Sequence, residues 1–213
     1  AWANSARLVR EITEAQRESI RLAVTDGISR GAGPAKTARQ IRGAIGLTST
    51  QLTHVYRYRD QLLSGDPGAL QRALRDKRSD SVVSRAIRDG KGLSKSQVDS
   101  LVARYQNRYV KYRAEVIGRT EALRAVNSGT RQGYAQLVAN GQLMPDEIKR
   151  RWVSARDGRV RDSHGRLNGQ VKGFDEPFLG NEGAILYPGD PSAPAAETIQ
   201  CRCTCSLYTS DAA

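Results

Sequence analysis

Apolar side chains recur every three to four positions through the first 140 residues and then lose that rhythm. Leu8, Ile12, Ala15, Ile20, Val24 and Ile28 keep near-helical spacing until Gly31-Ala32-Gly33-Pro34 interrupts them, which is the signature of an amphipathic helix and its stop. Pro34 suits the first turn of a short helix through Ile45, ended by Gly46. Thr48 or Ser49 can cap a third helix carrying Leu52, Val55, Tyr56, Leu62 and Leu63 to Ser64-Gly65-Asp66-Pro67. A fourth is expected over Ala69–Leu74, and a fifth from Ser79 or Asp80 to Asp89-Gly90. After Ser94-Lys95-Ser96 comes the longest periodic stretch, from Val98 through Tyr105, Tyr109, Tyr112, Val116, Leu123 and Tyr134 to Val138. It predicts one long helix whose weakest point, where a break would fall, is Asn127–Gly129. Gly118, Gly129 and Gly133 each cost such a helix about 1 kcal/mol relative to Ala. Its tyrosines suit packing with tethered hydroxyls better than base stacking.

Beyond residue 141 Gly, Pro and Asp become frequent, and short β-like pieces appear at Arg151–Ser154, Gln170–Lys172 and Ala184–Tyr187. The fold class expected is α+β: a mainly helical N-terminal region with one long helix, followed by a small loop-rich α+β module. So much loop in a small module needs a pin, from packing or from a bound metal. The expected division is an Arg-rich helical region over 1–95 and a second unit over 96–206, the long helix plus the module.

Charge follows the same division. The chain has 213 residues with 34 Lys+Arg against 22 Asp+Glu, net +12. Residues 1–140 hold 25 cations and 12 anions, a net of +13, while 141–213 stand at −1. Of the cations 27 are Arg, whose planar fork suits phosphate and carboxylate better than the point charge of Lys. A basic half of this kind fits a polyanion or an acidic protein surface, and equally an Arg-rich solvated helix face. No apolar run approaches the roughly 18–20 residues of a membrane-spanning helix, and no basic-then-apolar leader is present. The chain opens on Ala1, and Leu207–Ala213 reads as a translated sequencing adapter; a non-native tail over 207–213 and a chain truncated at both ends are therefore expected.

No phosphate-binding Gly-rich loop, nucleophile elbow or HExxH motif occurs. His54 is expected to be an ordinary surface or boundary residue. His164 is a better candidate, because Cys201, Cys203 and Cys205 are the only cysteines and crowd together downstream. That excludes a disulfide framework and suggests a reducing compartment or a metal. Imidazole and thiolate are zinc ligands: His164, Cys201 and Cys203 would supply three, with Cys205, Asp157, Asp162 or water as the fourth. The alternative is that His164 hydrogen-bonds a carbonyl or carboxylate while the thiols pack as small apolar groups. Arg119 and Glu121 sit mid-helix, where Glu121 could accept Arg159 or Arg161 and Arg119 could reach Asp157, docking one half on the other.

The series Tyr112–Glu121, Trp152–His164, Leu167-Asn168-Gly169, Tyr187-Pro188-Gly189-Asp190 and Cys201-Arg202-Cys203 resembles the phage Mu F-like minor head proteins, the head morphogenesis family of SPP1 gp7 type. The resemblance covers roughly residues 80–206. It carries over Arg119, Thr120, Glu121, Trp152, Asp157, Arg159, Arg161, His164, Gly169, Cys201 and Cys203, with no catalytic role fixed for any of them. It implies a non-enzymatic minor capsid protein of a tailed bacteriophage, acting in virion assembly and packaging at the portal vertex. The implied partners are the portal and other capsid or scaffold proteins, with DNA met through phosphates and no membrane. The implied location is the phage head, and the host cytoplasm during assembly. Many relatives carry Cys where this chain has Arg161 and His164, so only His164 of that pair remains for zinc. The rival function is a zinc-dependent hydrolase or nuclease centred on His164, Asp157 and Cys201/Cys203. A sequence-specific DNA regulator ranks last, since no helix-turn-helix or zinc-finger signature is present.

Overall fold

The computed structural model describes residues 12–209. Three helices open it: α1 (Glu14–Ser29), α2 (Pro34–Ile41) and α3 (Ser49–Ser64). Thr13 and Gln16 form a reciprocal capping box on α1, and Thr48 and Gln51 do the same on α3, each satisfying backbone donors that a helix start leaves open. Pro34 stands in the first turn of α2, and α3 ends on Gly65 at φ 70°. No α-helix forms over 69–74: a 3₁₀ turn spans Pro67–Gln71 and a second Lys77–Ser79. The segment between them is held by charge instead. Asp76 is buried and takes Arg78, Arg104 and Arg108 at 2.9, 3.4 and 3.0 Å. The Arg78 hydrogen bond, above all, holds its carboxyl far below the ordinary range. Helix α4 (Asp80–Arg88) follows.

Helix α5 runs unbroken from Lys95 to Ala139, 45 residues, a rod of roughly 67 Å at 1.5 Å per residue. Its first third packs Val98, Leu101 and Tyr105 against Val55, Tyr58, Leu62 and Val83. Its middle packs Ala114 and Ile117 against Ile20, Val24, Ile41 and Ile45 of the first two helices and the turn after them. Beyond them Leu123 turns toward the module, and Tyr134 donates its hydroxyl to Leu207 O at 3.2 Å. The expected weak point at Asn127 is a fastening. Its amide donates to Leu123 O and Pro188 O at 3.2 and 3.0 Å, and its carbonyl accepts from Thr204 Oγ1 at 2.8 Å and Cys205 N at 3.4 Å. These bonds outweigh the poor intrinsic propensity of the Asn-Ser-Gly run.

The module contains β1 (Ile148–Ser154), α6 (Asp162–Leu167), β2 (Val171–Gly173), β3 (Phe178–Leu179), β4 (Ala184–Ile185), α7 (Ala195–Thr198) and β5 (Cys203–Thr209). An antiparallel sheet in the order β2-β1-β5 sets Trp152 opposite Cys205 and Ser154 opposite Cys203, and β3-β4 is a separate hairpin. The two-residue strand β3 is too short to show any alternation, while β5 does alternate over Cys203-Thr204-Cys205-Ser206-Leu207, in residues weighed as metal ligands and as a tail. Leu207, Tyr208 and Thr209, from the segment read as an adapter, extend β5 along β1. Trp152, Phe178, Ile185 and the three cysteines form the core. Arg150 is fully buried beneath it, donating to the carbonyls of Gly173, Leu186 and Glu176 and so fixing the loops between strands.

Gly118 shows how closely α2 and α5 approach: a Cβ there would lie 3.1 Å from Cα and Cβ of Ala38, whereas a Cβ on Gly129 would meet nothing within 4 Å. Gly118→Leu should therefore destabilise by about 1–3 kcal/mol through overpacking. Gly129→Ala should stabilise by about 0.5–1 kcal/mol from helix propensity alone. Urea unfolding of both variants checks the opposite signs.

Candidate functional site

Helix α6 carries Ser163 and His164 into the module core, α7 carries Glu197, and the chain then bends back to deliver Cys201 and Cys203. The bend needs Gln200 at φ 54°. Its N–H donates to Thr120 Oγ1 at 3.0 Å, and that hydroxyl in turn donates to Val116 O at 2.8 Å. The long helix thus holds the turn that presents the cysteines.

His164 Nδ1, Cys201 Sγ and Cys203 Sγ lie within 4.8 Å of one another, with Nδ1 3.5 Å from Cys201 Sγ and 3.6 Å from Cys203 Sγ. A tetrahedral zinc with bonds of about 2.3 Å to sulfur and about 2.05 Å to nitrogen separates those ligands by about 3.6 Å. The cluster fits such an ion. On the far side of the ring His164 Nε2 meets Glu197 Oε2 at 2.8 Å. A carboxylate can only accept, so the proton sits on Nε2 and the Nδ1 lone pair faces the thiols. A carboxylate behind the imidazole is the usual support of a metal-bound histidine.

Glu197 is buried at 2% exposure. Burial raises its pKa, but the Glu182 backbone N–H at 2.9 Å, His164 and Arg161 outweigh it, and the carboxyl ends below its ordinary range. Ser163 Oγ adds a weaker donor at 3.4 Å. Gly180 makes the room: a Cβ there would stand 2.7 Å from Glu197 Oε1. Cys203 is shifted down, chiefly by a hydrogen bond from Cys201, to which the Trp152 indole adds. Trp152 Nε1 makes no hydrogen bond of full geometry, yet lies near enough to favour the Cys203 thiolate. Cys201 is shifted up by the same pairing. Burial pushes Cys205 up to about 12.

Among the described residues no fourth protein ligand joins the cluster. Cys205 stays outside it beside Trp152. Asp157 is taken by Arg202, whose hydrogen bonds, before any other influence, lower its pKa, and by the backbone N–H of Arg159 at 3.1 Å. Asp162 is exposed at the start of α6. Of the four options for the fourth position, water alone remains.

The docking network is built from other arginines than the sequence suggested. Glu121 does not meet Arg159 or Arg161; it takes Arg124 at 3.1 Å, one turn along its own helix, and Arg124 reaches Gly189 O at 3.2 Å. Arg161 is half-buried and donates to Ile199 O. The side chain of Arg159 is exposed. Asp157 meets Arg202 where Arg119 was expected. Trp152 is the centre of the core, and Gly169, at φ 86°, donates its N–H to Trp152 O at 2.8 Å. His54, a boundary residue, stacks on Tyr109 with ring centroids 6.2 Å apart.

The profile of the family described as Phage Mu protein F like protein matches residues 77–206, more than half the chain. The chain belongs to the phage Mu F-like head morphogenesis family. No curated protein and no solved structure matches it. The matched stretch of this Mu F-like protein takes in the whole of α5, the module up to residue 206 within β5, and the His-Cys cluster. Four residues of its site carry no motif: Glu197, Asn127, Arg124 and Arg131, the last donating to Phe174 O at 2.5 Å and pairing with Asp175 at 2.7 Å. Each supports a ligand or fastens the module through geometry rather than fixed spacing. A Pro-Ala-Ala-Glu helix start just before the C-x-C was the one trace of Glu197 available beforehand.

Replacing Glu197 with Leu keeps volume and removes the acceptor shared by His164, Ser163 and Glu182. The loss should be about 1–3 kcal/mol, the cost of stranding buried donors, measured by urea unfolding in chelator. A shift below about 0.5 kcal/mol, the size of a surface effect, would show that the network does not hold the module together.

Proposed function

We propose that this Mu F-like chain is a minor head protein of a tailed bacteriophage, structural rather than catalytic, associating with the portal vertex, with a zinc ion pinning its module through His164, Cys201 and Cys203. The observation that carries the structural reading is the closure of the site. Imidazole, thiolates and a carboxylate do converge, but His164, Cys201, Cys203 and Glu197 are each exposed by 2% or less. A hydrolase needs a metal position that substrate can reach, beside a general base; a water completing the metal here would sit among ligands that are themselves buried. Here Asp157, the candidate base, is engaged by Arg202, and Glu197 is spent on the imidazole. Family membership and the net +13 of residues 1–140 support a role in the head. That charge also favours contact with packaged DNA through phosphates, without base reading.

Zinc in this role stabilises a loop-rich fold, as structural sites do. Protein purified without chelator should carry about one zinc per chain. Cys203→Ser and His164→Gln should lose it, and Glu197→Gln should weaken it by about 10–100-fold. Metal analysis and competition with a colorimetric chelator read these out. Zinc-free protein whose Tm does not move when zinc is added would remove the ion and leave the hydrogen-bonded pin alone.

Co-expression with the portal and scaffold proteins of a phage carrying this chain should yield a complex that co-purifies. Weak DNA retention should fall steeply with salt. A chain that neither co-purifies nor enters heads, yet cleaves DNA or peptide in a zinc-dependent way, would establish the hydrolase reading instead.

A further inference from the structure

Near the junction of α5 and the module, acids and bases mostly find one another: Glu121 holds Arg124, Asp157 holds Arg202 and Glu197 holds His164. Arg119 is the half-buried exception. It stands on α5, and no hydrogen bond or ion pair reaches it among the described residues. Glu121, two positions along, points to a different side of the helix. A guanidinium partly withdrawn from water without a counter-charge carries an uncompensated desolvation cost.

Arg119 lines a cleft of about 730 Å³ between α5 and the module loops, with Arg159 on the module wall and Tyr112 and Gln200 beside them. That volume lies within the roughly 300–1,000 Å³ typical of built ligand pockets. Gln200 is the residue held at φ 54°; backbone strain of this kind collects at ligand sites, where the surroundings fix it. The cleft also carries Glu115, Asp162 and Glu182. Glu115 is near Lys111, 3.9 Å away, while Asp162 and Glu182 are exposed and meet no cation among the described residues.

We propose that this cleft docks an extended segment of a partner protein, an acidic side chain of which enters between Arg119 and Arg159. The mixed lining decides against nucleic acid: a duplex presents phosphate after phosphate and would meet the unpaired Asp162 and Glu182. A peptide varies its charge from residue to residue. Its Asp or Glu meets the arginines while a neighbouring Lys or Arg meets the acidic rim, the charge matching that sets register at protein interfaces. The proposal rests on the assembly role only for the origin of the segment.

The test follows the arginine side-chain N–H signals of the full chain by NMR on adding tetraglutamate, tetralysine or a short DNA duplex. Tetraglutamate should shift the Arg119 and Arg159 signals. Arg119→Gln, with its Tm unchanged, should bind it about tenfold more weakly, the loss of one charged contact. Arg119→Glu should lose it altogether and bind tetralysine better than the wild type does. No shift with tetraglutamate, equal binding by Arg119→Gln, or displacement of the peptide by the duplex would each overturn the proposal. A chain that still co-purifies with portal but ignores the peptide removes the cleft and spares the assembly role. Peptide binding by a chain that never joins a head does the reverse.

Discussion

A helix of 45 residues cannot bury one stripe along its whole length in a protein this small, and α5 solves this by changing its neighbour along the way. Its first third belongs to the cluster around Tyr58 and Tyr105, its middle to the cluster around Ile41 and Ile117, and its last third to the module. Around its middle the buried arc widens to take in Arg113, Ala114, Val116, Ile117, Gly118 and Thr120, where neighbours pack on more than one side. The rest of the fold depends on this succession, because α1 to α4 and the module touch mainly through α5.

The module meets a different constraint. Its strands are short and its loops long, so many carbonyl groups would be buried without partners. Side chains supply the donors. Arg150 serves the carbonyls of Gly173, Leu186 and Glu176, Arg131 that of Phe174, Arg124 that of Gly189 and Asn127 that of Pro188. Of these, Arg124 and Arg131 belong to the basic first 140 residues that the charge tally turned toward an external polyanion. Both are spent on the module, which narrows the outward-facing cationic surface without removing it.

The helical half was legible because it obeys local rules: capping boxes at Thr13, Thr48 and Ser94, Pro34 in a first turn and Gly65 at an end all act within four residues. The failures there are equally local. Ala69–Leu74 has helical composition, but Pro67 and the ion pairs around Asp76 hold an irregular path. Asn127 looks like a breaker because propensity cannot see the four bonds it makes across 61 to 78 residues of sequence or within its own helix. At the site, residue chemistry named His164, Cys201 and Cys203, which the fold brings together. It could not name Glu197, since a supporting carboxylate has no fixed spacing, nor could it choose which arginine Glu121 would meet. Ion-pair partners are selected by side-chain reach in three dimensions. Arg124, one turn away, won over residues some forty positions distant.

The continuity of α5 through Asn127 has a mechanical meaning. A hinge there would let the module swivel independently of the helices at the far end; an unbroken rod fastened on both sides of that point removes the pivot. Force applied at the module therefore arrives at the opposite end as leverage, and an event at one extremity is felt at the other without any rearrangement between them.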